Sequence, residues 1–387
     1  MPIDDKLSRP RVDFVDGLRA LAALYVLFHH SWATIYPPAG DARPDGAVAV
    51  LTGWLLYGHL GVTVFIVLAG YSLTIAVLPR DGELRGGFFG FMFRRGRRIL
   101  PPYWAALALT LALTVLLIRD ETGTQWDLVV PTDWQGVLAD LFLVQDLTGT
   151  QDISYTFWSI AVEWHIYLIF PLILLIWRLS NVWVGLTAGI LIGAAGIIAA
   201  RFFDPVNDLW PAFYLAFVLG MAARVMGSGP SPVWLRRLPW GTVGGVTLGA
   251  LGVLLARHDY AWLVAHMKPV DLLAGFGVAA VLTSLTLGRA GWLNRALSVR
   301  WLVFVGGFSY SLYLVHAPLL QVGWKYLIAP LTRSDGTQVV LMLLVVAPLT
   351  VAVAWGFYWI FERPFMSAWR QRISSASSQR TALPSAP

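Results

Sequence analysis

His29, His30, Glu163 and His316 stand inside otherwise apolar stretches of this chain of 387 residues. An ionisable side chain held away from water is costly, so each is a functional candidate. Arg19 precedes His30 by eleven residues. On a helix eleven steps amount to three turns plus about 20°, which puts both side chains on one face about 16 Å apart, while His29 points about 100° away. Imidazole titrates near neutrality and suits removal of a proton from a hydroxyl, and guanidinium suits an anion. The plainer readings are an arginine that snorkels to the interface and histidines that bridge two helices.

Two further segments carry polar groups at helical spacing. In Trp158-Ser159-Ile160-Ala161-Val162-Glu163-Trp164-His165-Ile166-Tyr167, the residues Ser159, Glu163 and Tyr167 recur every four and share a face. Glu163 there needs a cation or a hydrogen-bond donor, whereas His165 lies about 200° round from it and reads as a core or interfacial residue. In Phe308-Ser309-Tyr310-Ser311-Leu312-Tyr313-Leu314-Val315-His316, the side chains of Ser309, Tyr313 and His316 fall within about 60° of one another. His30, Glu163 and His316 are candidates to converge. No HExxH-type spacing joins the histidines and the chain has no cysteine, so no metal site is expected.

A fourth segment, Arg94-Arg95-Gly96-Arg97-Arg98-Ile99-Leu100-Pro101-Pro102-Tyr103, sets four arginines at the entry to an apolar run. Two readings stand: a topology signal, or a clamp for phosphate groups. No nucleotide-hydrolysis fingerprint accompanies it.

The elements that must position these groups are membrane spans. The composition is 57% apolar and 13% charged with 52 aromatic residues, and the mean hydropathy is +0.65. Soluble domains carry about 25% charged residues, so a soluble or disordered chain is excluded. Ten runs are long enough to cross about 30 Å of hydrocarbon: 16–36, 53–78, 99–118, 157–177, 182–200, 209–226, 240–256, 270–287, 302–322 and 338–361. Asp271 makes the eighth the weakest, and Pro211 marks the sixth for a kink. With the N-terminus inside, 21 of the 28 basic residues fall in cytoplasmic segments, the bias expected of an even number of spans. The fold class is therefore all-α, a polytopic membrane protein of about ten transmembrane helices with both termini cytoplasmic.

Residues 1–372 read as a single transmembrane domain and 373–387 as a disordered cytoplasmic tail. The polar start, Met1 to Pro10, has no apolar stretch and cleavage site, so the first run is a retained span. The connection from Arg119 to Thr156 is acidic and carries Trp126 and Trp134. It is either a solvated loop or the external wall of a substrate site. The net charge of +6 is spread as topology signals, which points to the lipid bilayer as partner and away from nucleic acid.

The ordered set Asp16-Gly17-Leu18-Arg19 to His29-His30, Arg94 to Tyr103, Trp158-Ser159 with Glu163 and Tyr167, Ser309-Tyr310 through Tyr313-Leu314 to His316, and Glu362-Arg363-Pro364-Phe365 resembles acyltransferase family 3. These are integral-membrane O-acyltransferases that draw on acyl-CoA and modify carbohydrates and some antibiotics. The resemblance implies ten spans in a bacterial plasma membrane, acyl-CoA as co-substrate with no permanently bound cofactor, and an essential arginine–histidine pair that falls on Arg19 and His30. Ala69-Gly70-Tyr71 departs from the family's usual Ser-Gly-aromatic. The arginine-rich, compact chain is similar to stand-alone relatives that acylate macrolide sugars.

The expected function is therefore transfer of an acetyl or short acyl group from acyl-CoA to a hydroxyl of a carbohydrate or macrolide acceptor. His30 is the expected base, with Arg19 and Glu163 as its catalytic companions. Arg94, Arg95, Arg97, Arg98 and Tyr103 are expected at the coenzyme A site, and Tyr167, Ser309, Tyr313 and His316 at the acceptor. Direct transfer and an acyl-His30 intermediate both fit. The rival class is a transporter or flippase, but such folds usually repeat their halves and no repeat is visible.

Overall fold

The computed structural model describes residues 12–37, 43–119, 122–128, 134–150, 153–203 and 209–366, so the tail expected from residue 373 lies outside the described residues. Every regular element among the described residues is helical. The ten apolar runs fall on α1 (Asp13–Ala33), α2 (Leu60–Val77), α3 (Gly87–Leu113), α4 (Trp158–Leu179), α5 (Val182–Ala199), α6 (Pro211–Ser228), α7 (Trp240–Ala256), α8 (Met267–Thr286), α9 (Ser309–Gly323) and α10 (Asp335–Leu341). Wider π turns extend α3 through Thr114–Ile118 and α9 through Trp324–Ile328. Others carry α10 onward through Ala347–Phe357 to Glu362.

Seven helical stretches among the described residues are long and apolar enough to cross a membrane, or eight if the ninth run is one bent span. Leu172, Leu175 and Leu179 on α4, Leu191 and Ile198 on α5, and Leu344, Leu349 and Val353 on α10 are exposed. Such a surface would aggregate in water and is stable in hydrocarbon. The chain is an all-α, multi-pass membrane protein.

Two expectations change. The ninth run does not continue as one helix: it breaks between Arg300–Gly306 and Ser309. Gly306 lies so close to the start of α1 that a Cβ there would fall 2.0 Å from the Asp16 carbonyl oxygen. Pro211 does not kink the sixth run; it opens α6, where its missing N–H costs nothing.

The packing divides the chain into two compact units. One comprises Met1–Val26, His59–Leu78 and Ala212–Ser309; the other comprises Leu27–Gly58, Pro79–Pro211 and Tyr310–Pro387. In the first, α2 and α6 cross backbone to backbone. A Cβ on Gly70 would sit 2.0 Å from the Phe217 carbonyl oxygen, and one on Gly220 would sit 1.9 Å from that of Val67. Small residues permit this approach, which is how helices associate when lipid supplies no hydrophobic drive. Asp271 is buried inside α8 and accepts a hydrogen bond from the Thr63 hydroxyl at 2.7 Å, with His59 Nε2 at 3.5 Å. A charge that weakened the span in the sequence is thus satisfied across helices.

In the second unit, α4 and α5 are joined by a tight turn. The Asn181 side chain caps α5 by accepting from the N–H groups of Trp183 and Val184. Glu362 is buried and accepts from the Ser311 N–H at 3.2 Å and hydroxyl at 2.6 Å, placing a carboxylate at the first turn of α9. Among its described residues, the acidic connection holds two carboxylates in hydrogen bonds. Asp140 accepts from the Ile153 N–H at 2.7 Å, and Asp146 lies 2.9 Å from His165 Nδ1. Both carboxylates are buried, so they build the connection and are not a solvated fringe.

Candidate active site

His30, in the last turn of α1, meets His316 on α9, with Nδ1 of the first 2.8 Å from Nε2 of the second. The rings stack at 5.0 Å and 26°. His316 is 1% exposed, and its own Nδ1 donates to the carbonyls of Tyr313 at 2.7 Å and Leu312 at 3.2 Å. His30 is only partly buried. The Tyr155 ring closes over it at 4.7 Å, and Trp126 meets Tyr155 edge-on at 5.9 Å. Trp126 is itself packed on Ile118 and Ala317. Burial pushes the Tyr155 phenol above its ordinary pKa, so it stays a neutral donor.

Tyr313 extends this centre. Its ring lies 5.7 Å from that of His316, and its hydroxyl shares a 2.6 Å hydrogen bond with Ser159 while donating to the Thr156 carbonyl at 3.2 Å. Ser309 does not join it: its hydroxyl donates to Gly306 O at 3.0 Å, where the ninth run breaks. His29 points elsewhere. It donates from Nδ1 to the Leu55 carbonyl at 2.7 Å, and Gly58 packs on it so closely that a Cβ would fall 2.0 Å from the His29 Cβ.

A second polar centre lies deeper along α4. Tyr167 donates a short hydrogen bond to Glu163, and Arg95 stands over the Tyr167 ring at 5.6 Å and the Phe91 ring at 5.7 Å. Arg98 is within electrostatic reach of Tyr167 and of Tyr310, as Glu163 is of Tyr310, whose hydroxyl donates to the Ile99 carbonyl. The structure therefore groups Glu163 with arginines and gives His30 a different ring partner, His316. Arg94 donates to the Arg85 carbonyl at 2.5 Å, and the Nε of Arg97 is buried with no hydrogen-bond partner. Tyr103 is fully buried, and its hydroxyl donates to the Asp140 carbonyl at 2.9 Å, away from the arginines. From Ser159 to Tyr167 the two centres are about 12 Å apart along the helix.

Arg19 belongs to the other unit. It pairs with Asp16 at 3.1 Å and donates to the Ser72 hydroxyl at 2.8 Å. Ser72 thus supplies a hydroxyl beside the arginine although position 69 is alanine.

The Acyltransferase domain profile matches residues 12–359. The chain belongs to acyltransferase family 3. The family assignment gives a membrane acyltransferase, and the geometry sets a pair of imidazoles and a cluster of guanidinium groups about 12 Å apart along α4. The acyltransferase chain is 27% identical to Acyltransferase MdmB of Streptomyces mycarofaciens over 97% of both chains. It is 27% identical to Nodulation protein 10 of Rhizobium leguminosarum bv. viciae, covering 84% of this chain and 88% of that one. It is 24% identical to the putative peptidoglycan O-acetyltransferase YrhL of Bacillus subtilis over 79% of this chain, and spans about half of that relative, 48%. No solved structure matches.

Tyr155, Trp126 and the His165–Asp146 pair escape a reading of the sequence. Trp126 stands out as an aromatic in a polar connection, but nothing in its spacing says which histidine it covers.

Proposed function

We propose that this membrane acyltransferase moves an acetyl or short acyl group from acyl-CoA to a hydroxyl of a carbohydrate or of a macrolide. The observation that carries the reading is His30, a partly open imidazole under an aromatic cap, in a chain of an acyltransferase family. The similarity to Acyltransferase MdmB supports acyl transfer, and that to a putative peptidoglycan O-acetyltransferase supports a sugar-bearing acceptor.

On this reading Arg94, Arg95, Arg97 and Arg98 hold the phosphates of coenzyme A. The unpartnered Nε of Arg97 is a buried donor that an anion would satisfy. Glu163 keeps Tyr167 and Arg95 in place. The acyl chain's thioester is carried the length of the α4 seam to the histidines. Tyr313 and Ser159 orient the acceptor. Its oxygen attacks the thioester carbonyl carbon as His30 takes the hydroxyl proton, and collapse of the tetrahedral intermediate breaks the C–S bond. The proton on His30 then passes to the departing sulfur. Both termini are cytoplasmic on this reading, which puts the arginines at the donor side.

The test is mass spectrometry on purified protein in lipid nanodiscs with acetyl-CoA and a panel of glycan and macrolide acceptors. A product heavier by one acetyl group, absent without donor, is expected. No product from any acceptor, with solute flux in proteoliposomes instead, would reject the enzyme in favour of a transporter.

A further inference from the structure

The sequence sets His316 among acceptor-binding groups. We propose instead that His316 is a positioning residue that fixes the tautomer of His30, leaving the His30 Nε2 lone pair as the one that takes the acceptor's proton. The inference rests on the reading of His30 as base and goes on to name the atom.

A carbonyl oxygen only accepts, so the Nδ1 of His316, 2.7 Å from Tyr313 O and 3.2 Å from Leu312 O, must carry a proton. A neutral imidazole carries one, so the Nε2 of His316 is an acceptor. The atom 2.8 Å from it, His30 Nδ1, must then be the donor. That assigns the single ring proton of neutral His30 to Nδ1 and leaves Nε2 bare. The opposite assignment needs a doubly protonated His316, a positive charge on a side chain only 1% exposed. No carboxylate among the described residues pairs with either ring, so that charge would be uncompensated. The proton chain runs one way, from His30 through His316 to the α9 backbone.

When Nε2 takes the proton, the His30 imidazolium keeps its Nδ1–H on His316, and that hydrogen bond becomes charge-assisted and stronger. His316 thus does for His30 what an aspartate does in a serine hydrolase triad, orientation and tautomer selection, with a backbone carbonyl as the final acceptor. Tyr155 and the stacked His316 ring at 5.0 Å restrict rotation of the His30 ring. A ring so held cannot exchange its two nitrogens by flipping.

Nitrogen-15 spectra of histidine-labelled protein in lipid, with His30 assigned by the His30→Ala difference, read the tautomer without any turnover. Wild type should show His30 protonated at Nδ1 and bare at Nε2. His316→Phe should convert most of the His30 signal to the other tautomer, and His316→Gln, whose amide oxygen accepts at the Nε2 position, should retain the wild-type form. In acyl transfer, His316→Phe should lower kcat by about 10² or more with acceptor KM within about twofold, and His316→Gln should recover at least tenfold of it. A wild-type His30 protonated at Nε2, or a tautomer unmoved in both variants, overturns the proposal, as does a raised acceptor KM at constant kcat. If the tautomer behaves as stated and no acyl transfer is found, the positioning role stands and the proposed reaction fails.

Discussion

His30 and His316, 286 positions apart in the chain, are joined ring to ring by a single 2.8 Å hydrogen bond. The pair ties the last turn of α1 to the middle of α9 within one compact unit. It separates the two adjacent histidines of α1 by task, since His29 is spent on the Leu55 carbonyl.

His30→Ala should leave a folded protein that binds acyl-CoA and should lower turnover by about 10² to 10⁴, the usual worth of a general base. His29→Ala should instead lower thermal stability by about 1 to 3 kcal/mol, since it leaves a buried carbonyl without its donor. Single-turnover kinetics and thermal unfolding on the same preparations separate the two. Near-wild-type turnover in His30→Ala would remove it from the chemistry.

Replacing Arg97 and Arg98 by Gln should weaken coenzyme A binding by about tenfold or more, and a donor lacking the 3′-phosphate should lose less. Equilibrium binding to nanodisc-held protein measures both. Unchanged affinity with reduced membrane insertion would make the cluster a topology signal alone.

Burial pushes the Asp140 carboxyl from an ordinary value up to about 7, the Ile153 N–H and the Tyr103 hydroxyl only partly opposing it. Because the folded-state value is the higher, this group's stabilisation is complete below its unfolded value near 4 and is lost as pH rises through about 7. Asp140→Asn, which retains an acceptor for Ile153, should flatten that part of the stability profile and raise thermal stability at pH 8 relative to wild type. A wild-type profile with no fall between pH 5 and pH 8 would sink the assignment.

With ten spans and a cytoplasmic N-terminus, as the basic-residue bias leads one to expect, Ser231 and Thr337 would lie on opposite faces of the membrane. Single cysteines at these positions of a cysteine-free chain should react with an impermeant maleimide from opposite sides. Labelling of both from outside would defeat the ten-span arrangement.

The helices were legible because apolar runs of span length leave the backbone no other way to satisfy itself in hydrocarbon. His30 and His316 were legible because a buried ionisable group is rare. Their union was readable only as a candidate convergence, and the cover of Tyr155 and Trp126 not at all, because residues from α1, α9 and a polar connection meet only after folding. Spacing also fixed the face of Glu163 on α4 and its need of a donor, met by Tyr167, but not that Arg95 on α3 would stand over the Tyr167 ring. The break after Gly306 escaped hydropathy, which does not register how near the Asp16 carbonyl approaches.

The aromatic lid over His30 bears on fidelity. On the proposed reading a thioester is brought to a base, where it is open to attack by any water that reaches it, and every such event discards an activated acyl group. On that reading Tyr155, tilted over the imidazole at 4.7 Å, and the stacked His316 ring at 5.0 Å narrow the approach of water to the base. The partition between product and wasted donor would then depend on these two rings as well as on the base itself.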